Sequence, residues 1–190
     1  MNKDELKEIM EPILESLGYE KFNWEEVKVD KPSDHKTQKL VENEIAVYMF
    51  NYGDNKYLKI GKVGENSNPR FLYHHYNPNS CKSNLAKQLI DDNEHKYGKE
   101  WENLKENYIK NEKYKNNKGE EKYIEYENAR NDIGDWIRKN TSRTNIYLKL
   151  SDNNFGKYKY FILSLFESAL QCKFKPRYEN NTHEKAYKNF

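Results

Sequence analysis

The chain has 190 residues, of which 35% are hydrophobic and 34% are charged, with a net charge of +2. These values predict one domain with a small core and surface additions, in which sixteen tyrosines and eight phenylalanines supply much of the apolar surface. The mild charge neither requires nor excludes a nucleic-acid partner, whereas two cysteines exclude a disulfide framework or a cysteine-based zinc site.

Residues 1–44 are predicted to form a helix and a polar connector, and nothing in the sequence indicates a signal peptide or a membrane-spanning run. We therefore expect a cytoplasmic protein with no membrane partner. Apolar residues recur at helical spacing before Gly18, which favours a helix packed on the domain over an arm for dimerisation or substrate binding. These residues are Leu6, Ile9, Met10, Ile13, Leu14 and Leu17. Residues 19–44 add a possible short strand.

A β-hairpin is predicted next, because residues 45–50 and 57–63 alternate in the way that strands do. The Gly-Asp pair that begins at Gly53 suits a two-residue type II′ turn between them. That turn places Tyr48 directly opposite Lys59, with Cβ atoms roughly 5 Å apart on one face. A phenol and an ammonium this close would form an unusual pair for a partly buried surface.

A helix is expected after the hairpin. Asn68 suits an N-cap and Pro69 the first helical position, which places Arg70 in the first turn. His74 lies four residues on and shares the face of Arg70, whereas His75 points elsewhere.

Four stretches in this order resemble the GIY-YIG endonuclease superfamily, and most closely a bacterial branch of it. They are Val47-Tyr48, KIGK at 59–62, HYNP at 75–78 and LFESALQCKFKPRYE at 165–179. The resemblance covers residues 45–179 with an unmatched middle.

The usual first Gly-Ile-Tyr appears here as Ala46-Val47-Tyr48, and the usual Tyr-Ile-Gly appears as Lys59-Ile60-Gly61. The lysine at position 59 is the departure from the wider family, which usually has a second tyrosine there. Asn180 stands loosely where some members carry an asparagine after the glutamate helix.

The element order and the resemblance together predict an α+β fold. Its small three-stranded sheet, antiparallel or mixed, consists of the hairpin and a third strand over 141–150, flanked by helices. The nuclease-like domain would span 45–180, with a charged helical insertion at about 93–127 and a tail at 181–190.

The insertion is rich in lysine, glutamate, asparagine and tyrosine, and we expect helices with a break near 116–119. It suits either a target-recognition element or a solvated surface elaboration.

Further helices are predicted over 79–92, 128–140 and 157–172. In the last of these, Glu167 is the only acidic residue on an otherwise apolar helix. Six residues of that helix are expected to face inward: Phe161, Ile162, Leu165, Phe166, Ala169 and Leu170.

The resemblance implies hydrolysis of nucleic-acid phosphodiester bonds with one divalent metal, Mg²⁺ or Mn²⁺. Glu167 would bind the metal, and Arg70 would hold a non-bridging phosphate oxygen. Tyr48 would accept the proton of the attacking water or orient that water. Lys59 would lower the pKa of Tyr48 or bind the scissile phosphate itself. Either His74 or His75 would contact the water or Tyr48, and the other would be structural.

The expected partner is double-stranded DNA, bound by a monomer or a homodimer. The basic residues expected to contact it are Lys62, Arg70, Arg143, Lys173, Lys175 and Arg177. Two other interpretations stay open. The chain could be a non-catalytic nucleic-acid-binding module that keeps the fold, or a structural or interaction protein.

Overall fold

The computed structural model describes residues 1–19, 21–30, 35, 40–53, 56–65, 73–81, 83–149 and 158–178. The chain divides into two compact units. The sheet unit comprises the described residues of 1–68 and 141–190, and the helical unit those of 69–140. The start of the helix predicted from Asn68, together with Arg70, Asn180 and the tail at 181–190, lies outside the described residues, and its described end, His74–Tyr76, is a 3₁₀ turn.

The described residues have an α+β fold with a four-stranded antiparallel sheet and five α-helices. The strands are β1 (Val27–Val29), β2 (Glu44–Tyr52), β3 (Tyr57–Val63) and β4 (Thr141–Lys149), in the order β1-β4-β2-β3. The predicted strand after residue 140 is confirmed as β4, which pairs with β2. The count of three strands is not confirmed, because β1 pairs with β4 and adds a fourth.

The register of the hairpin corrects one prediction. Tyr48 lies opposite Gly61, and Lys59 lies opposite Phe50, so the predicted Tyr48–Lys59 pair is wrong. Two shifts of one residue cause the difference. The Tyr52 N–H donates to the Lys56 carbonyl at 2.9 Å, which leaves three residues between them, and an irregularity follows Phe50. Two such shifts restore the original face, so Tyr48 and Lys59 still lie on the same side of the sheet.

One face of the sheet forms the core with two helices, α1 (Lys3–Ser16) and the last helix, α5 (Lys159–Phe174). α1 begins with a capping box between Asn2 and Glu5. The favoured interpretation of the N-terminal helix is confirmed, since it packs on the domain. Buried apolar residues of α1, the sheet and α5 form one hydrophobic core, which includes Leu6, Met10, Leu14, Val47, Met49, Ile60, Ile146, Leu148, Ile162, Phe166 and Leu170.

The buried side of α5 is rotated from the predicted one. Phe161 was expected to face inward, but it is 51% exposed, and Leu163 is buried instead. The helix turns the side that carries Leu163 and Phe166 towards the sheet, which leaves Phe161 at the surface.

The helical unit contains α2 (Leu85–Asp91), α3 (Lys99–Asn111) and α4 (Glu121–Asn140), with 3₁₀ turns at His74–Tyr76 and Glu112–Tyr114. The break predicted near 116–119, within the charged insertion, is confirmed, because it lies between α3 and α4. The helix predicted over 128–140 is the second half of α4. The buried aromatic residues of the helical unit are Tyr76, Tyr97, Trp101, Tyr108, Tyr126 and Trp136. Among the described residues, no helix combines the length and apolarity needed to cross a membrane.

Candidate functional site

The two faces of the sheet separate the predicted site residues. Tyr48 and Lys59 share the face away from α1 and α5, and Arg143 joins them because it lies opposite Phe50 on β4. Lys62 follows Gly61 by one residue and therefore points to the opposite face, towards α5.

The ring of Tyr48 lies directly over Gly61. A Cβ added to Gly61 would be 2.3 Å from the Tyr48 Oη and 2.5 Å from its Cζ, which no folded chain tolerates without movement. Only glycine leaves room for the ring, which explains the glycine of the KIGK stretch. Tyr48 is 2% exposed, and its ring meets that of Phe50 edge-on at 5.8 Å between centroids.

Two buried cations flank Phe50 on the same face as Tyr48. Arg143 is 1% exposed and Lys59 is 7% exposed, and each is directly opposite Phe50 on a neighbouring strand. Strands lie about 4.8 Å apart, so the two Cα atoms are roughly 10 Å apart. The Lys59 Nζ donates to the carbonyl of Tyr178 at 3.3 Å. This face therefore gathers Tyr48, Lys59 and Arg143 within the interior of the chain.

The predicted metal ligand lies on the other face. Glu167 projects from α5 towards β3, and its Oε2 is 2.8 Å from the Lys62 Nζ. The same ammonium donates to the Ser164 Oγ at 2.9 Å. The side chains of Lys62 and Glu167 are 39% and 17% exposed. The Lys62–Glu167 pair is therefore open to solvent and accessible to a small ion.

The late motif segment contacts the KIGK strand along its length. The Gln171 side chain donates to the carbonyl of Ile60 at 3.2 Å. Beyond α5, the backbone N–H groups of Arg177 and Tyr178 donate to the carbonyls of Tyr57 and Leu58 at 3.0 and 2.8 Å. The two stretches, which are more than a hundred residues apart in sequence, are therefore in direct contact.

Three predicted basic residues follow Glu167 towards the end of this segment. Lys173, Lys175 and Arg177 are all exposed. Lys175 ends α5 in the left-handed conformation, with φ of 46°, and the Arg177 guanidinium lies 5.9 Å from the Tyr178 ring centroid. These side chains are available to phosphate groups.

The two histidines differ in accessibility. His75 is buried, and its Nδ1 accepts a hydrogen bond from the Leu85 N–H at 3.2 Å, at the start of α2. His74 is half-buried, and its carbonyl accepts from the Ser80 hydroxyl at 2.6 Å. The geometry gives His75 a structural contact and leaves His74 as the more accessible ring.

Sequence reasoning did not assign a role to Ser164 or Gln171. Both belong to the polar stripe of α5 that also carries Glu167, and that stripe was the available signal. The ion pair of Lys62 with Glu167 was also missed, because it depends on which strand residue faces the helix.

A single carboxylate fits a magnesium ion that keeps most of its water, and Glu167 meets that requirement. Within the part of the chain that the structure describes, no group of three or more histidine, cysteine or acidic side chains is placed to hold a metal.

Comparisons of the chain with protein-family models, with curated proteins and with solved structures gave no match. The resemblance to GIY-YIG endonucleases accordingly rests on the motif residues alone.

Proposed function

We propose that this chain is a divalent-metal-dependent endonuclease that hydrolyses nucleic-acid phosphodiester bonds, with DNA as the expected substrate. The observation that carries the proposal is the contact between the KIGK strand and the Glu167 helix through Lys62. It joins the KIGK motif and the late motif of the resemblance at a partly exposed carboxylate.

In this proposal Glu167 would hold Mg²⁺ or Mn²⁺, and the ion would supply positive charge to a phosphate bound beside it. Lys62 would hold phosphate oxygens, and the resemblance gives Arg70 the same task through its planar fork of donors. The resemblance gives Tyr48 the attacking water, but Tyr48 is 2% exposed on the sheet face opposite Glu167, so the proposal assigns no step at the metal to Tyr48 or Lys59. The exposed cations after Glu167 bind the flanking backbone.

Incubation of supercoiled plasmid with the protein and Mg²⁺ tests the activity. The wild type should nick the plasmid, and Glu167→Gln should lower the rate by about a hundredfold or more, as expected for loss of a metal ligand. Glu100→Gln is the matched control, because Glu100 also forms an ion pair with a lysine, Lys139, at 3.3 Å, but in the helical unit. Nicking by Glu167→Gln at the wild-type rate would refute the assignment.

A second candidate function is a nucleic-acid-binding module without catalysis. The burial of Tyr48 favours it, as does its position on the sheet face opposite Lys62 and Glu167. This module would bind oligonucleotides with an affinity that falls steeply with salt and would leave plasmid intact with either metal. The wild-type protein with Mg²⁺ separates the two functions, since only the nuclease should nick the plasmid.

A further inference from the structure

The ammonium of Lys62 occupies the place where a cation would meet Glu167. It lies 2.8 Å from the carboxylate and 2.9 Å from the Ser164 hydroxyl. The Ser164 hydroxyl is itself fixed, because it donates to the carbonyl of Tyr160 at 2.8 Å. The Lys62 ammonium therefore has two defined partners, Glu167 and Ser164.

We propose that Lys62 is an exchangeable counterion that couples metal binding to phosphodiester binding. Without substrate, it neutralises Glu167 and weakens the attraction of that carboxylate for a divalent ion. When a phosphodiester arrives, the ammonium turns to the phosphate, and Glu167 becomes free to bind the metal. This inference rests on the proposed function. Under it, the Glu167 carboxylate is free to bind the metal only when the substrate is present.

The charges at the site explain the direction of the coupling. Glu167 and Lys62 sum to zero, so a divalent ion added alone leaves two uncompensated positive charges beside each other. A phosphodiester contributes one negative charge and acceptor oxygens for the ammonium, which removes part of that repulsion. The interaction scales inversely with distance and is strongest at contacts of about 3 Å. A lysine suits the exchange, since its ammonium is a compact point charge on a flexible stem.

Coupling of this kind is reciprocal. If the phosphodiester raises the affinity for metal, then the metal raises the affinity for the phosphodiester by the same factor. A passive surface ion pair, in contrast, contributes little to stability and would not link the two ligands. The distinction can be measured by binding alone, without any catalytic assay.

The experiment measures the Kd for Mn²⁺ by isothermal titration calorimetry, with and without a phosphorothioate DNA oligonucleotide that resists cleavage. For the wild type, the oligonucleotide should tighten Mn²⁺ binding by about fivefold or more, within the usual range of coupling between sites. Lys62→Met should bind Mn²⁺ about tenfold more tightly when alone, and the oligonucleotide should then tighten Mn²⁺ binding by a smaller factor than in the wild type. Lys62→Arg keeps the charge and should retain part of the coupling.

Lys159→Met is the matched control. Lys159 lies on the same helix, and its Nζ forms a comparable ion pair with Glu65 at 2.7 Å, which raises the pKa of Lys159 through that hydrogen bond. This variant should behave like the wild type in both titrations. Thermal unfolding of each variant checks that the fold is kept.

The possible failures can be told apart. Mn²⁺ binding that depends on Glu167 but is the same in Lys62→Met and the wild type would overturn the exchange and leave the proposed function standing. The lack of Glu167-dependent Mn²⁺ binding in both proteins, with and without oligonucleotide, would overturn the metal site and the proposed function together.

Discussion

Replacing Gly61 with alanine tests whether the packing of Tyr48 fixes the KIGK strand. The new Cβ would lie 2.3 Å from the Tyr48 Oη, and the buried ring has little room to move because it also meets Phe50. Overpacking of this kind costs about 1–3 kcal/mol. Alanine also lowers the conformational entropy of the unfolded chain, which offsets about 0.5 kcal/mol of that cost. We therefore expect Gly61→Ala to lower the free energy of unfolding by about 2 kcal/mol.

The assay is equilibrium unfolding in urea, performed as a double-mutant cycle. Tyr48→Ala alone should cost about 3–5 kcal/mol, by loss of the buried ring. In that background the clash is gone, so Gly61→Ala should be neutral or slightly stabilising. The coupling energy between the two positions should thus be about 2 kcal/mol.

Gly64 supplies the matched control. A Cβ added there would be 3.2 Å from the Tyr160 Cε1, but that ring is 54% exposed and can move away. Gly64→Ala should change the free energy of unfolding by less than about 0.5 kcal/mol. Equal stability of Gly61→Ala and the wild type, or a coupling energy near zero, would refute the proposed role of the close approach.

Three further expectations concern the core, the pH response and the basic residues. Phe166→Ala should cost about 3–5 kcal/mol in urea unfolding, whereas Phe161→Ala should cost less than about 1 kcal/mol; similar losses would contradict the observed rotation of α5. Burial, assisted by the charge of Glu112, raises the pKa of Tyr108 above its ordinary value of 10. Its contribution to stability is therefore complete below about pH 10 and falls above it, as the unfolded chain loses the phenolic proton first. Tyr108→Phe should flatten that decline in pH-dependent unfolding, and an unchanged slope would exclude Tyr108 as its source. Lys173→Ala should lower the slope of log affinity against log salt by about 1 in oligonucleotide binding, and an unchanged slope would remove this residue from the interface.

Strong periodic patterns predicted most of the elements. The apolar spacing before Gly18 predicted α1, and the alternation after residue 140 predicted β4, because both signals repeat over several turns or pairs. The possible short strand predicted within residues 19–44 is confirmed as β1, but its three residues were too few for the pattern to locate it. The register of the hairpin could not be predicted, since it depends on a turn length and an irregularity that the pattern does not encode.

The sequence named candidate site residues, whose roles stay predictions, but not how they are arranged on the two faces of the sheet. The motif order brought the KIGK stretch and the Glu167 helix together, and the structure places them in contact. Which lysine faces the carboxylate depends on strand alternation, and the structure assigns Lys62 to the helix side and Lys59 to the opposite side. The burial of Tyr48 depends on tertiary packing that no local pattern reveals.

The account depends most directly on whether Glu167 binds a metal beside a phosphate. Crystals grown with Mn²⁺ and a phosphorothioate oligonucleotide would locate the ion by its anomalous scattering. The account predicts an Mn²⁺ peak at bonding distance from the Glu167 carboxylate, about 2.2 Å, with the Lys62 ammonium turned towards a phosphate oxygen. A bound oligonucleotide with no ion at Glu167, and with Lys62 still paired to that carboxylate, would contradict it.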